Sequence, residues 1–144
     1  MKKIVILLLI SLKMISQNPN FIKYDANVTM FCKLEPNSKT YVKLDTIVND
    51  PTRKINIAND DSEFEIGFPV DSEIVYINFK VGSKGNVNHK DGKEYYYYMG
   101  YDENEFPLVL YISKDKLYSI FYYFYTEEIN EYSKCEKLKL KKID

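Results

Sequence analysis

One histidine, His89, and two cysteines, Cys32 and Cys135, are the only side chains through which imidazole or thiol chemistry can run. A Ser-His-Asp or Cys-His arrangement needs partners assembled in space. His89 stands in a Gly- and Lys-rich stretch, residues 82–92, where an ordinary solvated loop histidine is expected. Zinc asks for three or four clustered ligands, which this inventory does not supply. Two sets of acids, Asp60, Asp61 and Glu63, then Asp102, Glu103 and Glu105, offer oxygens without the spacing of a calcium loop. Asp is also a residue that turns prefer. Glycoside hydrolysis would need two carboxylates facing across a cleft, which keeps a carboxylate-dependent hydrolase as the alternative function. The chain has neither a Gly-rich phosphate loop nor a nucleophile elbow, and neither a metal nor a cofactor is expected.

The strongest constellation is aromatic. Tyr95, Tyr96, Tyr97, Tyr98 and Tyr101 crowd one segment, and Tyr118, Phe121, Tyr122, Tyr123, Phe124 and Tyr125 another, in a chain of 14 Tyr, 8 Phe and no Trp. Tyr joins a large apolar ring to a polar tip, which suits it to interfaces and ligand sites. One face of these strands must fill a core. The other is expected to present Tyr95, Tyr97, Tyr101, Tyr118, Tyr123 and Tyr125 to a ligand, either an unknown protein or a small apolar molecule. The competing reading is that loops cover those rings or that they line the inside of a barrel.

The elements that must position these rings are strands. From residue 22 to 34 the even positions, Ile22, Tyr24, Ala26, Val28, Met30, Cys32 and Leu34, are apolar and the odd ones mostly polar, the period of a half-buried strand. Val42, Leu44, Thr46 and Val48 repeat the pattern until Asn49, Asp50 and Pro51 stop it. Ile55 and Ile57, then Phe64, Ile66 and Phe68, mark two more strands, and Val75, Ile77, Phe79 and Val81 one face of a fifth. Residues 82–92 read as a polar loop with a turn at Asp91 and Gly92. Beyond it, residues 95–99, 106–112 and 117–125 are apolar at both parities, as in strands buried on both faces. A tight turn at Lys114 and Asp115 would set Ile112 opposite Leu117 and Leu108 opposite Phe121. Thr126, Glu127 and Glu128 offer the alternative of capping one helical turn. Residues 132–143, with Leu138 and Leu140 among lysines, read as an edge strand.

The resulting fold class is all-β: an antiparallel meander of about eight or nine strands, forming a small up-and-down barrel or a two-layer sandwich. A bond between Cys32 on the first strand and Cys135 on the last would favour closure, and the alternative is two buried free thiols.

Residues 1–17 read as a signal peptide. Lys2 and Lys3 precede an apolar run over residues 4–12, and Ser16, Gln17 and Asn18 provide a polar cleavage region. That run of roughly 9 residues is far short of the about 20 that span a bilayer, so no permanent membrane anchor is expected. Its removal takes three lysines and no acid, moving the formal net charge from −1 to −4. Lysines elsewhere are interleaved with acids, as in Lys114, Asp115 and Lys116, which argues against nucleic-acid binding. Residues 18–144 are then a single secreted or periplasmic domain. Its expected role is non-enzymatic binding, with a structural envelope protein as a further alternative.

Overall fold

The computed structural model describes residues 20–44 and 51–144. The expected signal peptide, Thr46, Val48 and the stop at Asn49 and Asp50 lie outside the described residues. Those described form nine strands and no helix: β1 (Phe21–Glu35), β2 (Thr40–Lys43), β3 (Thr52–Ala58), β4 (Glu63–Val70), β5 (Glu73–Asn88), β6 (Glu94–Tyr101), β7 (Pro107–Ser113), β8 (Tyr118–Thr126) and β9 (Glu131–Ile143). From β3 to β9 each strand pairs antiparallel with the next. β9 then pairs with β1, from Lys23 opposite Ile143 to Lys33 opposite Lys134. Because β1 also pairs with β3, eight strands close into a barrel. β2 is the extra strand, added to the far half of β1 by a hairpin. The fold is therefore a barrel and not a sandwich, and β9 is no edge strand, since closure gives both its edges a partner.

Period-two alternation fills the barrel. Tyr24, Ala26, Val28, Ile55, Ile57, Phe64, Ile66, Leu110, Phe121, Leu138 and Leu140 form one buried core. The alternation expected through β1 does not run unbroken. Its register to β9 slips between Val28 and Met30, and one extra residue turns every later side chain to the opposite face. Val28 thus packs into the barrel core, whereas Cys32 packs into a separate cluster with Cys135, Tyr95 and Ile120. Cys32 and Cys135 are directly paired across the strands, with Cα atoms 5.0 Å apart, and are joined by a disulfide. The double-sided burial expected for the later strands follows from this arrangement. One face meets the barrel core and the other meets the disulfide cluster.

Three local expectations are corrected. β5 does not stop at Val81: it slips register between Val81 and Ser83 and pairs on to Asn88, leaving only residues 89–93 as a turn. Gly85 lies opposite Tyr97, and a Cβ there would stand 2.9 Å from the ring, so this glycine serves close packing within a strand. The turn itself contains Asp91 and Gly92 as expected, with Gly92 at φ 79°. The β7–β8 connection is longer than a tight turn. Lys116 N–H donates to the Ser113 carbonyl and Leu117 N–H to Asp115, which sets Ile112 opposite Ser119 and Leu110 opposite Phe121. Finally, Thr126 belongs to β8 and its hydroxyl donates to the Glu131 carbonyl, so residues 127–130 form a turn rather than a helical cap.

The barrel is strongly sheared. A row of paired residues from Cys32 through Cys135, Tyr122, Val109 and Met99 arrives at Ser83. The β4 ladder reaches along β5 only as far as Lys80. The two halves of β5 consequently have different neighbours, β4 for residues 73–80 and β6 from Lys80 onward.

Candidate binding surfaces

That division opens the barrel wall. Phe79, deep in β5, is 5 % exposed, whereas Val75, on the same inward parity, is 48 % exposed because no strand continues β6 beside it. Behind the gap lies an apolar cavity of about 310 Å³, lined by Phe68, Ile77, Phe79, Phe106, Leu108, Phe121, Tyr123, Phe124 and Tyr125. Phe106 and Phe124 on its rim are 67 % and 61 % exposed. Phe124 also holds a positive φ of 58°, a conformation that costs an L-residue roughly 1–2 kcal/mol. Its ring meets Tyr123 at 4.8 Å and lies under the Lys134 ammonium, yet most of its surface stays uncovered.

A buried ion pair stands near this cavity, on the interior side of the wall. Arg53 Nη2 and Nε donate to the two carboxylate oxygens of Glu136 at 3.0 and 3.1 Å. The Arg53 guanidinium lies 4.9 Å from the centre of the Phe68 ring. Tyr123 donates to the same carboxylate at 3.4 Å. Burial pushes the Glu136 carboxyl up, although Arg53 pulls against it, and burial likewise raises Tyr123. Sequence reasoning missed this pair. Two signals were present: Arg53 is the chain's one arginine, and Glu136 shares the inward parity of Leu138 and Leu140.

The second aromatic region surrounds the disulfide. His89 meets Tyr95 and Tyr111 with ring centres 5.5 and 5.9 Å apart, and Tyr122 meets Tyr111 and Tyr41 at 5.5 and 5.2 Å. His89 Nε2 is hydrogen-bonded to the Tyr122 hydroxyl at 3.0 Å. The expected solvated histidine is instead a packed one, with a side chain only 13 % exposed. Burial lowers its pKa, and the nearby Asp91 only partly offsets that. Asp91 lies 3.6 Å from Nδ1, too far for a hydrogen bond. It accepts instead from the Tyr95 hydroxyl at 2.6 Å and from Lys93 N–H at 2.9 Å. Two cavities of about 400 Å³ each flank this cluster. Cys135, which lines one of them, is held in the disulfide and is no nucleophile.

The six tyrosines expected on one face are distributed among several places. Tyr123 and Tyr125 line the apolar cavity, and Tyr101 lines an adjoining groove with residues of β5. Tyr95 is buried beside His89, and Tyr97 lies near Tyr111 at 6.4 Å. Tyr118 carries the Lys93 ammonium over its ring. Compared with known proteins, the chain matches no family model, no curated protein and no solved structure. The reading of function therefore rests on this geometry.

The acids singled out in the sequence are mostly occupied in turns and pairs. Asp61 pairs with Lys84 at 3.1 Å, and Glu63 with Lys80 at 2.6 Å. Asp102 accepts the N–H groups of Asn104 and Phe106 at 2.9 Å each. Among the described residues no group of three or more His, Cys, Asp or Glu side chains could hold a metal ion.

Proposed function

We propose that this is an exported, non-enzymatic binding protein whose partner, a protein, docks on the open end of the barrel. The observation that carries the reading is the gap in the wall, where Phe106 and Phe124 stand exposed on an apolar cavity and Val75 on the adjoining groove, although Phe64, Phe79 and Phe121 of the same chain are buried. A soluble domain leaves such a patch uncovered at a cost in solubility, which binding repays. Tyr101, Tyr123 and Tyr125 of the expected tyrosine face belong to this surface. Export is supported by the disulfide, a bond that persists in secreted and periplasmic compartments, and by the signal-like residues 1–17. A small apolar molecule is the second reading, favoured by the cavity volume of about 310 Å³, which lies in the range of small-ligand sites.

The test compares the wild-type chain with a Phe106→Ser, Phe124→Gly variant, each recovered from the envelope fraction and medium of its own host. Native mass spectrometry under non-reducing conditions then reads the complexes. A defined protein held by wild type and lost from the variant supports the proposal. A partner retained by the variant places binding elsewhere and sinks it, and a small co-purifying mass selects the second reading. The substitutions are expected to leave the fold intact, because Phe106 is on the surface and glycine at position 124 relieves its backbone strain, raising stability by about 1 kcal/mol.

A further inference from the structure

The open end also exposes backbone. Residues 73–79 of β5 pair with β4 along one edge, and among the described residues nothing pairs with the other. Val81 N–H donates to the Ser62 carbonyl, toward the β4 side. Backbone groups alternate sides along a strand. The N–H and C=O groups of Ile74, Tyr76 and Asn78 therefore point out of the free edge. That edge borders a groove of about 580 Å³, whose other wall is the turn carrying Asp102, Glu103 and Asn104. The groove runs into the apolar cavity, since Ile77 and Asp102 line both.

Natural sheets blunt a free edge with lysine, proline, a bulge or extreme shortness. β2 follows that rule: it is four residues long, with Lys39 just before its start and Lys43 at its end. The free stretch of β5, Glu-Ile-Val-Tyr-Ile-Asn-Phe, contains none of these devices. Its surroundings are acidic instead. Asp71 and Glu73 stand at one end, Asp102 and Glu103 line the facing wall with Glu105 in the same turn, and the cations nearby are Lys80, which is paired with Glu63, and Lys134, which lies over the Phe124 ring.

Building on the reading of the open end as the binding surface, we propose that the partner supplies an extended, cationic segment that adds as a strand to the free edge of β5. Main-chain hydrogen bonds to Ile74, Tyr76 and Asn78 fix its register. Alternate apolar side chains enter the cavity beside Phe106 and Phe124, and Lys or Arg side chains on the segment meet the acidic turns. A second copy of this chain is a poor occupant, because it brings the same acids to the same edge, and an anionic lipid surface is repelled for the same reason.

The experiment pans a displayed library of random decapeptides against the full chain and then synthesises the enriched sequences. The expected peptides have net positive charge and alternate apolar residues with Lys or Arg, and salt weakens their binding. Tyr76→Pro removes a free-edge N–H while leaving the β4 ladder whole, a position where strands tolerate proline. It is expected to weaken binding about tenfold, the loss of one or two net hydrogen bonds. N-methylating the peptide amides that face β5 should do the same, whereas methylating the alternate amides should not. Circular dichroism and urea midpoints confirm that each variant is folded, and if Tyr76→Pro unfolds, the peptide methylation series alone decides.

Strand addition and the open-end site predict different failures. Binding abolished by Phe106→Ser, Phe124→Gly but untouched by backbone methylation overturns strand addition and keeps the open end as the site. Binding indifferent to both overturns the site as well. Enrichment of acidic peptides, or of none, overturns the proposal.

Discussion

Around the disulfide, Tyr95, Tyr111, Tyr122, Tyr41 and His89 meet edge to face, and Tyr95, Tyr122 and Tyr41 have hydrogen-bond partners for their hydroxyls, Asp91, His89 and the Tyr132 carbonyl. At the open end, Phe106 and Phe124 face solvent. Tyr rings with satisfied tips close one surface, while Phe rings without tips are left where packing stops. Aromatic density alone therefore does not mark a binding face. What distinguishes the two regions is how far the rings are covered, from Tyr95 at 1 % exposed to Phe106 at 67 %, a property of strand register rather than of composition.

The largest break in this comparison should come from the disulfide. Its two cysteines are 103 residues apart in sequence, and the chain-entropy model assigns a loop of that size about 4 to 5 kcal/mol. Cys32→Ser with Cys135→Ser is expected to lose that much in urea unfolding while the folded fraction still binds at the open end. A parallel loss of binding would show that the two regions are one cooperative unit.

The ion pair tests the open end from inside. With Arg53 12 % and Glu136 3 % exposed, Arg53→Met leaves a buried carboxylate uncompensated and should cost about 3 to 5 kcal/mol. Adding Glu136→Met should restore most of the loss, because a buried pair contributes little net stability over apolar residues of similar volume. Thermal unfolding of the two variants reads the difference. If the double variant is as weak as the single one, the pair supports the wall through geometry that methionine cannot replace.

Much of this fold was legible in the sequence, and the exceptions have physical causes. The all-β class and most strands follow from alternation, because one buried face imposes period two. The polar look of residues 82–88 concealed half of β5, since its glycines make room for rings on β6. The bulge near Thr29 could not be read, because a single inserted residue leaves the composition of both faces almost unchanged. For the site, Tyr123 and Tyr125 were singled out, but the free edge of β5 was not. An edge is defined by the strand that is missing, and only the shear of the barrel decides where β6 ends. Phe106 and Phe124 looked like core residues for the same reason.

The smallest expected effect belongs to His89, and it sharpens the contrast because it tests how tightly the disulfide region is closed. Burial holds the imidazole below the usual value of about 6.5. Its surroundings are Asp91 and Lys90 in its own turn, Tyr95 on β6, Tyr111 on β7, Tyr122 on β8, Lys137 on β9 and Tyr41 on β2. Well above pH 6.5 the ring is neutral in both folded and unfolded chains, so it contributes no pH dependence there. As the pH falls below 6.5 the unfolded chain takes up a proton that the folded chain resists. Stability should then decline through the window between 6.5 and the lower folded value, and level off beneath it. His89→Gln should remove that part of the decline, so the difference between the two urea-unfolding curves isolates the histidine from the carboxylates that titrate lower. A difference of opposite sign, with wild type gaining stability below pH 6.5, would mean that Asp91 swings across its 3.6 Å gap to pair with the imidazolium. The cluster would then be a yielding surface like the open end, and the distinction between the two regions would fail.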